Sequence, residues 1–168
     1  EQRFHEDALE CFDKAVKIDP NDARANFAKA LALIDLGRLE ESIKCMDDAL
    51  KIEPDNVVFL DFKGNTLVKI GKLTESFNCF EKITQIDPNN TRAWYNKGTS
   101  LMEHVNPYDG SSYAKSKMDE AIKCFEKVLE IDPNNARAWY NKGTSCIAVG
   151  RNEEGTTCLE KTMEIDPT

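Results

Sequence analysis

The chain has 168 residues, with 22 Lys+Arg against 30 Asp+Glu, a net charge of -8 and a pI near 4.9. That acidic balance opposes a general grip on phosphate backbones, so nucleic acid is excluded as the expected partner. No run approaches the roughly 18–20 apolar residues of a membrane helix and no basic-then-apolar leader opens the chain, so a soluble, cytoplasmic protein without membrane insertion is expected.

Residues 1–22 predict the second helix of a partial repeat. Ala8, Leu9, Phe12, Ala15 and Val16 recur at helical spacing and form one apolar stripe, which ends at Ile18-Asp19-Pro20. Glu1 falls in mid-repeat and is not Met, so a longer parent chain is expected. Residues 23–56 and 57–90 each predict a helix pair, closed by Ile52-Glu53-Pro54 and Ile86-Asp87-Pro88. Proline cannot extend the hydrogen-bond ladder and pushes the residue before it out of the α region. The Asn or Asp after each proline is placed to cap the next helix.

Residues 91–135 carry the same pair with an insertion, because the prolines Pro20, Pro54, Pro88, Pro133 and Pro167 are spaced by 34, 34, 45 and 34 residues. The 11 extra residues fall in segment 104–117, where the first helix should end before Pro107 and Ser111 or Ser112 should cap the second. That second helix carries the stripe Ala121, Ile122, Phe125, Val128 and Leu129. Residues 136–168 form the last pair, and residues 130–145 repeat residues 85–100 with changes only at the first and seventh positions, a recent internal duplication.

Gly37, Gly71 and Gly150 stand between the paired helices, where a left-handed residue is wanted. Gly64, Gly98 and Gly143, with Ala30 in the equivalent place, lie inside the first helices. Glycine costs about 1 kcal/mol there, so its recurrence implies close helix approach, against Ala8, Ser42, Ser76, Ala121 and Gly155. Gly155 and Thr162 replace alanines of earlier repeats and are expected to loosen the last helix.

Trp94, Gly98, Ala121, Phe125 and Pro133, recurring as Trp139, Gly143, Gly155, Leu159 and Pro167, resemble the tetratricopeptide repeat signature, and the resemblance spans the whole chain. It implies an all-α, right-handed superhelical solenoid of antiparallel helix pairs forming a single array, whose job is to bind a protein or peptide in a concave groove.

In such a groove the first helices would present Arg24, Phe27, Ala28 and Leu31, then Val58, Asp61, Phe62 and Asn65, then Arg92, Tyr95, Asn96 and Thr99, then Arg137, Tyr140, Asn141 and Thr144. Amides and aromatic rings suit an extended peptide. The expected peptide-binding residues are Asn65, Arg92, Tyr95, Asn96, Thr99, Arg137, Tyr140 and Asn141. Asn65, Asn96 and Arg137 match the carboxylate clamp of chaperone-binding members, but Asp61 and Asn141 replace its first and last basic residues, and an acid repels a carboxylate. Asn96 and Asn141 match the asparagine ladder of O-linked N-acetylglucosamine transferases, which Ala28 and Phe62 break. The Asn pair is either such a ladder or a by-product of the duplication.

No catalysis, cofactor or metal is expected. His5 and His104 lie in different repeats without a nucleophile constellation. Cys11, Cys45, Cys79, Cys124 and Cys158 share one register but lack CxxC spacing, and stacked repeats would hold them beyond disulfide reach, so they and Cys146 read as packing thiols. Gly64 to Gly71-Lys72 has the wrong spacing for a phosphate loop, and the Asn89-Asn90-Thr91 sequon sits in an ordinary turn. Two alternatives to a binding module stay open: self-assembly into homo-oligomers through exposed end faces, and service as the recognition arm of a larger enzyme.

Overall fold

A computed structural model describes residues 2–106 and 111–167. All regular structure among them is helical, and the chain divides into two compact units, Glu1–Lys72 and Leu73–Thr168. The division falls between the two helices of the repeat 57–90.

The first unit holds α1 (Gln2–Ile18), α2 (Ala23–Asp35), α3 (Leu39–Ile52) and α4 (Val57–Lys69). The second holds α5 (Leu73–Ile86), α6 (Thr91–Glu103), α7 (Ser112–Ile131), α8 (Ala136–Ala148) and α9 (Asn152–Ile165). Helices α1, α3, α5, α7 and α9 stop at the isoleucine before each Asp/Glu-Pro pair. Asp22, Asn56, Asn90 and Asn135 cap the helices that follow, each side chain accepting at least one first-turn N–H. In the inserted segment α6 ends at Glu103, and Ser111 Oγ accepts from Ala114 N–H at 3.0 Å to cap α7. Residues 107–110 lie outside the described residues.

Gly37, Gly71 and Gly150 have φ of 72°, 75° and 86°, the left-handed conformation that the sequence requires of them. Each closes a helix with paired bonds: Arg38 N–H to Leu33 O at 2.8 Å and Gly37 N–H to Ile34 O at 2.9 Å, repeated by Lys72 with Gly71 and by Arg151 with Gly150.

The core of the first unit clusters Leu9, Ala30, Leu33, Cys45 and Met46, with a second cluster of Ala23, Ala49 and Phe59 against Phe27. In the second unit Leu101, Ala121, Cys124 and Phe125 pack with Phe77, Trp94 and Tyr95. Burying large apolar side chains such as Phe125 stabilises each unit by roughly 1.5–3 kcal/mol apiece.

Two recurrent polar devices bind each first helix to the helix or turn before it. Trp94 Nε1 and Trp139 Nε1 donate to the carbonyls of Pro88 and Pro133, both at 2.9 Å, and in the first unit Asn26 Nδ2 does the same to Pro20 O at 3.2 Å. Lys29, Lys63, Lys97 and Lys142 reach back to acids of the preceding helix, Asp13, Asp47, Glu81 and Glu126, at 2.7, 2.6, 3.4 and 3.0 Å. Both rows follow the repeat spacing. They are legible in the sequence only once the helix faces are known, because a lysine and an acid 16 residues apart carry no local signal.

Cys45, Cys79, Cys124, Cys146 and Cys158 are buried and Cys11 is exposed, and none of the six is in a disulfide. Cys11 thus departs from the packing role expected of its register. Cys124, by contrast, lies under α6, where a Cβ on Gly98 would come within 3.2 Å of its own Cβ. Burial pushes the Cys124 and Cys146 thiols up to about 11, which leaves them protonated and inert at neutral pH.

The close approach inferred from the glycines is present where α8 meets α9. A Cβ on Gly155 would lie 2.6 Å from Ile147 Cγ1 and 2.9 Å from Gly143 O. At Gly155 the two helices touch, and a larger side chain there would meet Ile147.

Candidate functional site

The expected binding residues fall into two groups. Asn65 lies in the first unit, on α4, where its Nδ2 donates to Asp61 O at 2.8 Å and Asp61 Oδ2 at 3.1 Å. Asp61 is itself buried. The other seven belong to the second unit, on α6 and α8.

On α6, Arg92, Tyr95, Asn96 and Thr99 occupy one face because their spacing of three and four residues matches the helical turn. Arg137, Tyr140, Asn141 and Thr144 occupy the same face of α8. Thr99 Oγ1 donates to Asn96 O at 3.0 Å and Thr144 Oγ1 to Asn141 O at 3.1 Å. Both hydroxyl protons are spent on their own helices, which leaves oxygen acceptors only.

A hydrogen bond links the two faces. Asn141 Nδ2 donates to the Tyr95 hydroxyl at 3.0 Å, across 46 residues of sequence. The Tyr95 ring is held edge-on by Phe125, with centroids 5.9 Å apart. A phenol that accepts from an amide keeps its own proton to donate, and the amide keeps its oxygen to accept. Tyr95 and Asn141 therefore present a donor and an acceptor side by side. Tyr140, by contrast, is 53% exposed.

Two concavities meet at Tyr95. One, of about 280 Å³, is lined by Thr91, Arg92, Tyr95, Asn135 and Arg137. Its neighbour, of about 420 Å³, is lined by Tyr95, Ala136, Arg137, Tyr140, Asn141, Thr162 and Asp166. Of the expected residues, Arg92, Tyr95, Arg137, Tyr140 and Asn141 are thus brought together, whereas Asn96 and Thr99 line neither space. Asn135, Thr162 and Asp166 also line these spaces, although in the sequence they read as helix punctuation and a replaced alanine.

Among the described residues no group of three His, Cys, Asp or Glu could hold a metal ion, and no helix is long and apolar enough to cross a membrane. His5 Nδ1 lies 3.5 Å from Asp35 and His104 stacks edge-on near Tyr113.

Family models described as tetratricopeptide repeats match residues 1–57, 59–90 and 136–168, and one described as TPR repeat matches residues 112–150. No curated protein matches the chain. Among solved structures, a MamA RS-1 ArsTM double mutant superposes with a TM-score of 0.83 at 20% identity, covering 97% of this chain and 85% of that one. MamA 41-end from Desulfovibrio magneticus RS-1 gives 0.81 at 20% identity, with 97% and 86% covered. YrrB, described as a TPR protein with an unusual peptide-binding site, gives 0.82 at 25% identity, with 98% and 79% covered.

Proposed function

Because the chain belongs to the tetratricopeptide repeat proteins, an all-α solenoid family, we propose that it is a protein-interaction module that binds an extended peptide segment across α6 and α8. The observation that carries this reading is the Asn141 to Tyr95 hydrogen bond. A peptide group offers one N–H and one C=O, and the Asn141 oxygen and the Tyr95 hydroxyl proton complement that pair. Phe125 fixes the Tyr95 ring, so little side-chain freedom is lost on binding. Exposed Tyr140 adds stacking area beside it.

The similarity to YrrB supports the reading, since that protein is described as having a peptide-binding site. The reading needs no reactive group. The Cys124 and Cys146 thiols are held protonated by burial, and the two histidines line neither concavity.

The test is a lysate pull-down with mass spectrometry, run with the wild type, Tyr95→Phe and Asn141→Ala, after circular dichroism confirms that all three are folded. Partners lost from both variants are the expected result. Partners retained equally by all three would sink the groove.

A further inference from the structure

We infer that a cleft beside the inserted segment takes one aromatic side chain, Phe, Tyr or Trp, presented by a partner protein. It shares no lining residue with the two concavities at Tyr95, so it is a second contact that stands without the groove.

The insertion builds this cleft. Helices α3, α5 and α9 have 14 residues each and start at Leu39, Leu73 and Asn152, whereas α7 has 20 and starts at Ser112. Met118 is the residue of α7 in register with those starts, so the stretch before it is added to the repeat. Tyr113 and Lys117 of that stretch enclose a space of about 200 Å³ together with Thr74 and Phe77 of α5 and Leu101 and His104 of α6. Helix pairing does not need this wall, because α2 with α3 and α8 with α9 pair without one. Buried Ala114 seats the added turn, while Tyr113 stays 54% exposed, so its ring contributes little to the core.

The lining sets the chemistry of the guest. Three rings, Phe77, His104 and Tyr113, border the space. His104 and Tyr113 stand edge-on, with centroids 6.4 Å apart and planes at 68°. A further ring entering beside them gains edge-to-face contacts that an aliphatic chain of equal area does not. Lys117, held by Glu120 at 3.0 Å, keeps its ammonium 6.0 Å from the Tyr113 centroid, and no carboxylate lines the space among the described residues. A cation without an anion at the wall suits the negative face of an aromatic ring.

Size narrows the guest to a single side chain. Sites for whole small molecules measure roughly 300–1,000 Å³, and this space is smaller. An aromatic anchor seated in a pocket is also how protein interfaces concentrate their affinity.

The test selects a random peptide library on the full chain carrying Tyr95→Phe and Asn141→Ala, so that the groove contributes nothing and its own failure is scored separately. Enriched peptides are then measured by fluorescence anisotropy. They should share one aromatic residue, and changing it to Leu should weaken binding roughly two- to tenfold, the worth of an aromatic pair over an aliphatic contact. Free 4-methylphenol should displace them. Tyr113→Ala, which removes a wall, and Thr74→Arg, which fills the space from an exposed position, should each abolish the aromatic preference while circular dichroism stays unchanged. A library that enriches no peptide, peptides without a shared aromatic residue, or an aromatic preference that survives either substitution would overturn the inference.

Discussion

Residues 85–100 and 130–145 are almost the same sequence, yet α6 and α8 sit in different surroundings. Gly98 faces the Phe125 ring, while Gly143 faces Gly155 O and the Leu159 side chain. Ser100 shares a 3.0 Å hydrogen bond with Ser76, while Ser145 is buried without a partner, because Ala121 holds the register of Ser76 and has no hydroxyl. Lys97 pairs with one acid and lies 5.2 and 5.0 Å from the Phe77 and Trp94 ring centroids, while Lys142 pairs with both Glu126 and Glu154. Tyr95 is pinned and Tyr140 is open. Equivalent residues of two near-copies have thus acquired different energetics from what stands opposite them.

The largest expected effect separates the two helices beneath the glycines. Phe125→Ala should cost about 3–5 kcal/mol, because the ring is fully buried under Gly98. The equivalent Leu159→Ala should cost only about 1–2 kcal/mol, since Leu159 is half-buried. Denaturant unfolding followed by circular dichroism measures both, and equal losses would show that the two repeats are packed alike.

Next come the glycines themselves. A Cβ at Gly98 would lie 2.8 Å from two atoms of the Phe125 ring. Gly98→Ala should therefore destabilise by about 1–2 kcal/mol despite its gain in helix propensity. At Gly143 the nearest approaches are 3.0–3.1 Å, and clash and propensity should nearly cancel. Thermal midpoints of the two variants decide the matter. A stabilised Gly98→Ala would mean that Phe125 moves freely.

The lysines should differ in kind more than in size. Lys142→Met should cost about 1–2 kcal/mol and the loss should shrink in high salt, since carboxylates supply most of it. Lys97→Met should lose about 1 kcal/mol that salt barely alters, because aromatic rings share the load. Burial alone would lower the Lys142 ammonium, but the hydrogen bonds it donates to Glu126 and Glu154 outweigh that and hold it above its ordinary value. Its contribution is therefore complete at neutral pH and fades only as pH rises past about 10.5. Burial raises the Glu154 carboxyl, but Lys142 and Arg151 hold it below the usual range. That contribution is present above the ordinary carboxylate range and disappears as pH falls through the lowered value. In acid the wild type should converge on Lys142→Met, and a constant gap from pH 7 to pH 3 would refute the assignment.

The smallest contrast is also the cleanest. Ser100→Ala should cost up to about 1 kcal/mol, because it removes the bond to the Ser76 hydroxyl, which keeps only its bond to the Leu73 carbonyl, whereas Ser145→Ala should be neutral or stabilising by up to about 1 kcal/mol. A hydrogen-bonded Ser145 would reverse that second sign in the same unfolding measurement.

Much of the fold was legible before any coordinates. Ile-Asp-Pro marks, Asn and Asp caps and left-handed glycines are local instructions, obeyed within a few residues of where they are written. The groove was legible in part, because helical spacing puts Arg92 and Tyr95 on one face and Arg137, Tyr140 and Asn141 on its copy.

What the sequence by itself determined is therefore the repeat, the helix ends and the residue types each face presents, since these depend on backbone chemistry and period. Tertiary structure alone decided which equivalent residues behave alike. The bond from Asn141 to Tyr95, the stranded Ser145, the exposed Cys11 and the acid wall at Asp166 depend on what stands opposite each side chain. That partner lies dozens of residues away, or is absent among the described residues, so no local pattern encodes it.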